Sequence, residues 1–175
     1  MRIFVAGASG AIGQPLVAEL VRRGHEVTGM THAETRARHL ANMGAAVAQV
    51  TAFDAAAVEQ ALRDARAEVV IDELTSLPKD PSKMAAAAPG DRKLRIEGGG
   101  NLHRAALACG VRRYIQQASG FFLEPGSGLA DDSARLPEYK DDVLPLNMLQ
   151  RTVASGLCGT RPDLGQWSAK VRASG

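Results

Sequence analysis

Residues 1–13 of the chain read MRIFVAGASGAIG, and this stretch decides the fold. Residues 2–6 form an apolar, partly β-branched run that is typical of a short buried strand, and the run breaks at Gly7. A segment with helical periodicity follows from Gln14 to Arg23. A strand, a glycine turn and a helix in this order are the context in which a glycine motif predicts a phosphate-binding turn.

The three glycines of this turn, Gly7, Gly10 and Gly13, have the spacing G-x-x-G-x-x-G. We expect Gly7 to adopt the backbone angles of a tight turn and Gly10 to leave room for a pyrophosphate. Gly13 would let the helix pack closely on the strand, while the N–H groups of the helix start face the phosphates. The motif predicts a dinucleotide site, and a plain glycine-rich strand–helix turn is the alternative.

The composition is that of a globular protein of one domain's length, with 175 residues, 45% hydrophobic and 23% charged. A net charge of +2 gives no argument for a nucleic-acid partner. Cys109 and Cys158 are too far apart for a disulfide framework or a zinc knuckle, and His32 with His39 lacks a third metal ligand. No long apolar span occurs, so we expect a cytoplasmic protein that binds neither metal nor membrane.

Strand-like and helix-like segments alternate through the first two thirds of the chain. The strands are expected at residues 2–6, 26–31, 46–50, 68–72 and 113–118, and the helices at 14–23, 33–42, 55–65 and 94–109. This alternation predicts an α/β fold with a doubly wound parallel sheet in the order 3-2-1-4-5. A ligand would bind at the carboxyl ends of strands 1 and 4, where the strand order reverses.

Two features interrupt the pattern before the fifth strand. Pro78, Pro81 and Pro89 favour a loop after the fourth strand. In the helix that follows, residues 98–100 are three glycines, each of which weakens a helix by roughly 1 kcal/mol. We therefore expect another helix or a cofactor to approach the backbone closely at these glycines.

The end of the second strand bears on the choice of cofactor. Dinucleotide folds usually place an acidic residue there to bind ribose hydroxyls, whereas this chain has Thr31 and His32, followed by Arg36 and Arg38. Cations without a carboxylate favour a 2′-phosphate, and hence NADP slightly over NAD. A solvated helix start is the alternative interpretation of the same residues.

By its fifth strand the chain resembles the extended and atypical short-chain dehydrogenase/reductases, the NAD-dependent epimerase/dehydratase family. The resemblance runs from Met1 to about Leu136. It rests on residues 7–13 (GASGAIG), residues 69–75 (VVIDELT), Glu97-Gly98 with Asn101-Leu102, and residues 110–115 (GVRRYI) leading to Ser119.

The resemblance implies a bound NAD or NADP and places Ser119 where the family has its active-site serine or threonine. The cofactor contacts that it implies are Gly7, Ala8, Ser9, Gly10, Ala11, Ile12, Gly13, Leu74 and Thr75, to which His32 and Arg36 are added from the strand end. It also implies a division into a Rossmann domain at residues 1–136 and an unassigned tail at residues 137–175.

The chain departs from the family at the catalytic pair. The family uses Tyr-x-x-x-Lys, in which the lysine one helical turn away lowers the tyrosine pKa. Here Tyr139 is followed directly by Lys140, and Val143 stands four residues on. By comparison with the family, we expect the substrate-binding lobe to be missing or abbreviated in this sequence.

Three functions remain open from the sequence. The chain is an oxidoreductase or epimerase for a sugar-nucleotide-like or small carbonyl substrate, a non-catalytic NAD(P)-binding regulatory or interaction module, or a truncated fragment. The missing catalytic pair favours the second and third, and the family resemblance favours the first. A small-molecule substrate and a homodimer are both compatible with the sequence.

Overall fold

The computed structural model describes residues 1–117, and these contain one five-stranded sheet with all strand pairs parallel. The strands are β1 (Arg2–Ala6), β2 (Glu26–Thr31), β3 (Ala46–Gln49), β4 (Val69–Asp72) and β5 (Arg113–Gln116). Their order is β3-β2-β1-β4-β5, which confirms the expected doubly wound topology. The order reverses between β1 and β4, so the carboxyl ends of these two strands flank the crevice where such folds bind ligands.

Five helices connect the strands within residues 1–117: α1 (Gly13–Arg22), α2 (Glu34–Asn42), α3 (Ala55–Asp64), α4 (Met84–Lys93) and α5 (Gly99–Ala108). The start of α3 is fixed by Asp54, whose side chain accepts a hydrogen bond of 3.0 Å from the N–H of Ala57. None of the helices in this part of the chain is long and apolar enough to cross a membrane.

The core lies along the two central strands. Residues 3–6 of β1 and all of β4 are buried, as expected for parallel strands that are covered by helices on both faces. Val17 of α1 and Leu40 of α2 are fully buried in the same apolar cluster as Val5. The apolar residues of the amphipathic helices therefore hold β1, and with it the glycine turn, in a fixed position.

The expectation of a loop through Pro78, Pro81 and Pro89 is wrong over most of its length. Pro81–Lys83 forms a 3₁₀ turn that leads into α4, and Pro89 lies inside that helix. Asp80 caps the turn by accepting a hydrogen bond of 3.0 Å from the N–H of Ser82. An N-cap followed by proline at the first helical position is a helix start, and the run of alanines that follows favours helix continuation.

Of the three consecutive glycines, Gly98 approaches another part of the chain, which is a loop and not a helix. Leu94–Gly98 is a π-helical segment that joins α4 to α5. A Cβ atom on Gly98 would lie 2.9 Å from the Cβ of Ala52, which is in the loop after β3. The Nδ2 of Asn101 donates a hydrogen bond of 3.0 Å to the carbonyl oxygen of Ala52. The small residue at position 98 thus lets α5 hold the β3–α3 loop.

Candidate dinucleotide-binding site

The turn between β1 and α1 is built on Gly7, whose φ of +77° lies in the left-handed region that favours glycine. A Cβ atom on Gly7 would overlap the backbone of Glu73, whose carbonyl carbon would be 2.7 Å away. The N–H of Gly10 donates a hydrogen bond of 2.9 Å to the carbonyl oxygen of Gly7 and closes the turn. Both the backbone angles and the crowding therefore require glycine at position 7.

Gly13 is required for a different reason, which is the close packing of α1 on the turn. A Cβ atom on Gly13 would lie 2.8 Å from the Cα of Ala8 and closer still to the carbonyl oxygen of Gly7. Real Cβ atoms do not approach backbone this closely. The structure therefore gives Gly13 the packing role that the sequence predicts.

Gly10 differs from Gly7 and Gly13 because the described residues leave open space beside it. Its φ is not in the left-handed region, and a Cβ atom there would approach only the carbonyl oxygen of Gly7, at 3.1 Å. Gly10, Ala11 and Ile12 are exposed, and α1 begins without a side-chain cap at Ile12. The N–H of Gln14 donates to the carbonyl oxygen of Gly10 at 3.1 Å and Pro15 has no N–H, so the N–H groups of residues 11–13, below the open surface, are the ones that fit a pyrophosphate. The residues present thus fit the group that the turn predicts.

The end of β2 is joined to this turn. The hydroxyl of Thr31 is buried and lies 3.3 Å from the hydroxyl of Ser9. His32 and Arg36 are exposed, and their side chains form no ion pair or hydrogen bond within residues 1–117. Arg38, in contrast, binds Glu34 at 2.7 Å on the exposed face of α2. Of the expected phosphate-binding side chains, His32 and Arg36 are therefore unpaired within residues 1–117, just beyond the end of β2 that contacts the turn.

The carboxyl end of β4 forms the opposite wall of the crevice. Asp72 is buried and accepts hydrogen bonds from the N–H of Leu74 at 3.0 Å and from the hydroxyl of Tyr114 at 2.8 Å. Burial raises the pKa of Asp72, and these two hydrogen bonds oppose the shift. Leu74 and Thr75, the expected cofactor contacts after β4, are half-buried at this edge. Asp72 thus fixes the path of the chain just beyond the strand.

Several buried polar groups at this edge were not expected from the sequence. His103 packs its ring edge-on against Tyr114, with centroids 5.2 Å apart, and its buried Nε2 has no partner among the described residues. Asp91 binds Arg95 at 2.7 Å and accepts a hydrogen bond of 2.6 Å from the N–H of Ser76. A signal for Asp72 was present, because it is a carboxylate that ends an otherwise apolar strand.

The expected catalytic residues lie outside the described part of the chain. Ser119, Tyr139 and Lys140 all follow residue 117, as does the boundary between residues 1–136 and the tail at 137–175. Their roles therefore stay predictions.

Residues 7–143 match the family model described as NAD(P)H-binding, which is more than half of the chain. The chain belongs to this NAD(P)H-binding family. The match begins at Gly7, the first glycine of the turn. A nicotinamide dinucleotide is accordingly the cofactor of this fold.

Among curated proteins, the chain is similar to the 3-diazoavenalumate denitrifying reductase of a Streptomyces species. The two are 36% identical over 162 residues, which cover 89% of this chain and 52% of the relative. The chain thus spans about half the length of that protein.

Two solved structures are similar to the chain. The Thermus thermophilus UDP-glucose 4-epimerase, in complex with NAD, superposes with a TM-score of 0.65 at 26% identity, covering 79% of this chain and 43% of that one. A short-chain dehydrogenase/reductase superfamily protein from Agrobacterium tumefaciens, with bound NAD, has a TM-score of 0.67 at 22% identity. It covers 89% of this chain and 46% of that one, and at this identity it supports the fold alone.

Proposed function

We propose that this protein is an NAD(P)H-dependent oxidoreductase that acts on a small carbonyl or sugar-nucleotide-like substrate. The observation that carries the proposal is the open surface above Gly10, beside an uncapped helix start. The similarity to a curated reductase favours reduction over epimerisation. When bound, the nicotinamide supplies a hydride, and the residues of this chain bind and orient the dinucleotide at the switch between β1 and β4.

The test is oxidation of NADH and NADPH by the purified chain in the presence of candidate substrates. The loss of dihydronicotinamide absorbance measures this oxidation. The panel contains small carbonyl compounds, UDP-keto-sugars, which carry a carbonyl that can accept the hydride, and diazo acids, since the curated relative is a 3-diazoavenalumate denitrifying reductase. Turnover of any substrate supports an oxidoreductase. Dinucleotide binding without turnover of the panel would favour a non-catalytic module instead.

The non-catalytic module is the second candidate function, and the spacing between the tyrosine and the lysine favours it. Tyr139 is followed by Lys140, and Val143 occupies the place one helical turn later. Adjacent residues on a helix do not face each other, so Lys140 would not activate Tyr139 as the family pair does.

We therefore expect Tyr139→Phe to leave kcat unchanged for any substrate that the protein reduces. Loss of a true general acid would instead lower kcat by about 10²–10⁴-fold. Ser119→Ala is the comparison, because the resemblance places Ser119 in the site, and loss of a hydrogen bond to the substrate oxygen would lower kcat by up to about 10²–10³-fold. Steady-state kinetics of the three proteins decide the matter, and a strong loss in Tyr139→Phe would contradict the expectation.

The cofactor preference is proposed to be NADP over NAD. The exposed guanidinium of Arg36 and the exposed His32, both just beyond β2, support it, as does the absence of a carboxylate at Thr31. Arg36→Gln should weaken NADPH binding by about tenfold or more and leave NADH binding unchanged, because only NADPH carries the 2′-phosphate. Calorimetry with both dinucleotides measures this. Arg38→Gln is the matched control, since Arg38 already binds Glu34. Equal losses for both dinucleotides would contradict the assignment.

A further inference from the structure

Glu73 is the first residue beyond β4 and lies against the glycine turn. Its N–H donates a hydrogen bond of 3.0 Å to the carbonyl oxygen of Ala6, the last residue of β1. A Cβ atom on Gly7 would lie 3.2 Å from the Cβ of Glu73. Glu73 thus lies where β1 and β4 end together. In this fold, the dinucleotide binds in the crevice at these strand ends.

The carboxyl group is incompletely satisfied by the protein. Its Oε2 atom is shielded from solvent and has no hydrogen-bond partner among residues 1–117. None of the ion pairs within those residues includes Glu73. A shielded polar atom without a partner is costly, so it points to a group that is neutral or that meets a ligand.

The surrounding charges favour the neutral form. Burial raises the pKa of Glu73, the nearby Asp72 raises it further, and Arg95 opposes the shift. Arg95 is itself bound to Asp91 at 2.7 Å, so its charge is already compensated. The turn at residues 7–13 carries no titratable side chain.

The two other titratable groups of this edge do not interact directly with Glu73. The hydroxyl of Tyr114 on β5 donates to Asp72, and His103 on α5 contacts the Tyr114 ring. Within the described residues, their contacts connect them to Glu73 only through its neighbour Asp72.

We propose that Glu73 binds the dinucleotide as a protonated carboxylic acid, which donates its O–H to a pyrophosphate oxygen. An ionised carboxylate would repel the pyrophosphate, whereas the neutral acid adds a hydrogen bond. Binding therefore takes up a proton whenever Glu73 is ionised in the free protein. The proposal rests on dinucleotide binding at the glycine turn and adds a residue that no glycine motif contains.

The sign of the pH dependence follows from this linkage. Binding raises the pKa of Glu73, so affinity is highest at pH values below the pKa of the free protein. It falls by up to about tenfold per pH unit above that value, until the pKa of the complex is reached.

The experiment is titration calorimetry of the full chain with NADH at several pH values, each in two buffers that differ in ionisation enthalpy. NADH is the probe because it lacks the 2′-phosphate, which itself titrates near pH 6. We expect the parent to take up as much as one proton. Glu73→Gln, a neutral isostere, should bind NADH without proton uptake and with an affinity that no longer depends on pH. Glu97→Gln is the matched control, since Glu97 is an exposed carboxylate of the same chain whose loss should leave the uptake intact.

The outcomes separate this proposal from its premise. A parent that binds neither NADH nor NADPH overturns both the dinucleotide site and the role of Glu73. A parent that binds NADH with no proton exchange at any pH of the series, or with proton release, overturns the role of Glu73 alone. Proton uptake that persists in Glu73→Gln also overturns it, and the parent measurement does not depend on the stability of any variant.

Discussion

Replacing Gly10 with valine is expected to lower the affinity for NADH and NADPH by at least about 10²-fold while the fold is retained. The backbone at Gly10 is one that other residues can adopt, and within residues 1–117 a Cβ atom there would contact only the carbonyl oxygen of Gly7, at 3.1 Å. The side chain would occupy the open space above the turn, where the pyrophosphate is expected. Because the turn holds the phosphate rigidly, the clash with the valine side chain destabilises the complex with the dinucleotide and not the folded protein.

Calorimetry with both dinucleotides measures this loss, and thermal unfolding measures the fold. Gly100→Val is the control, because Gly100 lies in α5 and its nearest contact is the flexible end of Arg104, at 3.4 Å. A Gly10→Val protein that binds as tightly as the parent would show that the open surface serves another purpose. One that fails to unfold cooperatively would show that Gly10 is structural.

Much of the fold could be predicted because its signals are local. β2 begins and ends where the pattern predicts, and the apolar stretch of β4 is buried as parallel strands require. The strand order then follows from the alternation of strands and helices with right-handed crossovers. The backbone angle of Gly7 and the packing of Gly13 were also predictable, since glycines in a strand–turn–helix context have few other uses.

The expectation of a loop near Pro89 is wrong because this proline does not end the helix that contains it. Asp80 and Pro81 form a helix start, and the ring of Pro89 is on the exposed side of α4, where the lost hydrogen bond is tolerated. Asp91 further holds the end of this helix through Arg95 and the N–H of Ser76. Such tertiary support is absent from the local pattern, although a proline inside a helix costs about 3 kcal/mol.

The polar groups around the crevice could not be predicted for a different reason. Asp72, His103 and Tyr114 come from β4, α5 and β5, and only the folded sheet brings them together. No spacing in the sequence relates these residues. Glu73 likewise gains its significance from the contact with Gly7, which lies far away along the chain.

Gly13→Ala is the substitution expected to damage the fold most for its size. The added methyl group would lie 2.8 Å from the Cα of Ala8 and still closer to the carbonyl oxygen of Gly7, and both are backbone atoms that cannot rotate away. Helix α1 would have to move outward and withdraw Val17 from the core beside β1. We expect the free energy of unfolding to fall by about 3 kcal/mol or more, with dinucleotide binding lost as well.

Chemical denaturation of Gly13→Ala, Gly100→Ala and the parent separates this effect from helix propensity. Alanine at Gly100, inside α5 and free of backbone contacts, should stabilise the protein by about 0.5–1 kcal/mol. The same chemical change is thus predicted to have opposite signs at the two positions. If Gly13→Ala were as stable as the parent, the close approach at this glycine would not be what holds α1 against β1. The inference that the turn is rigid, on which the Gly10→Val prediction depends, would then be contradicted as well.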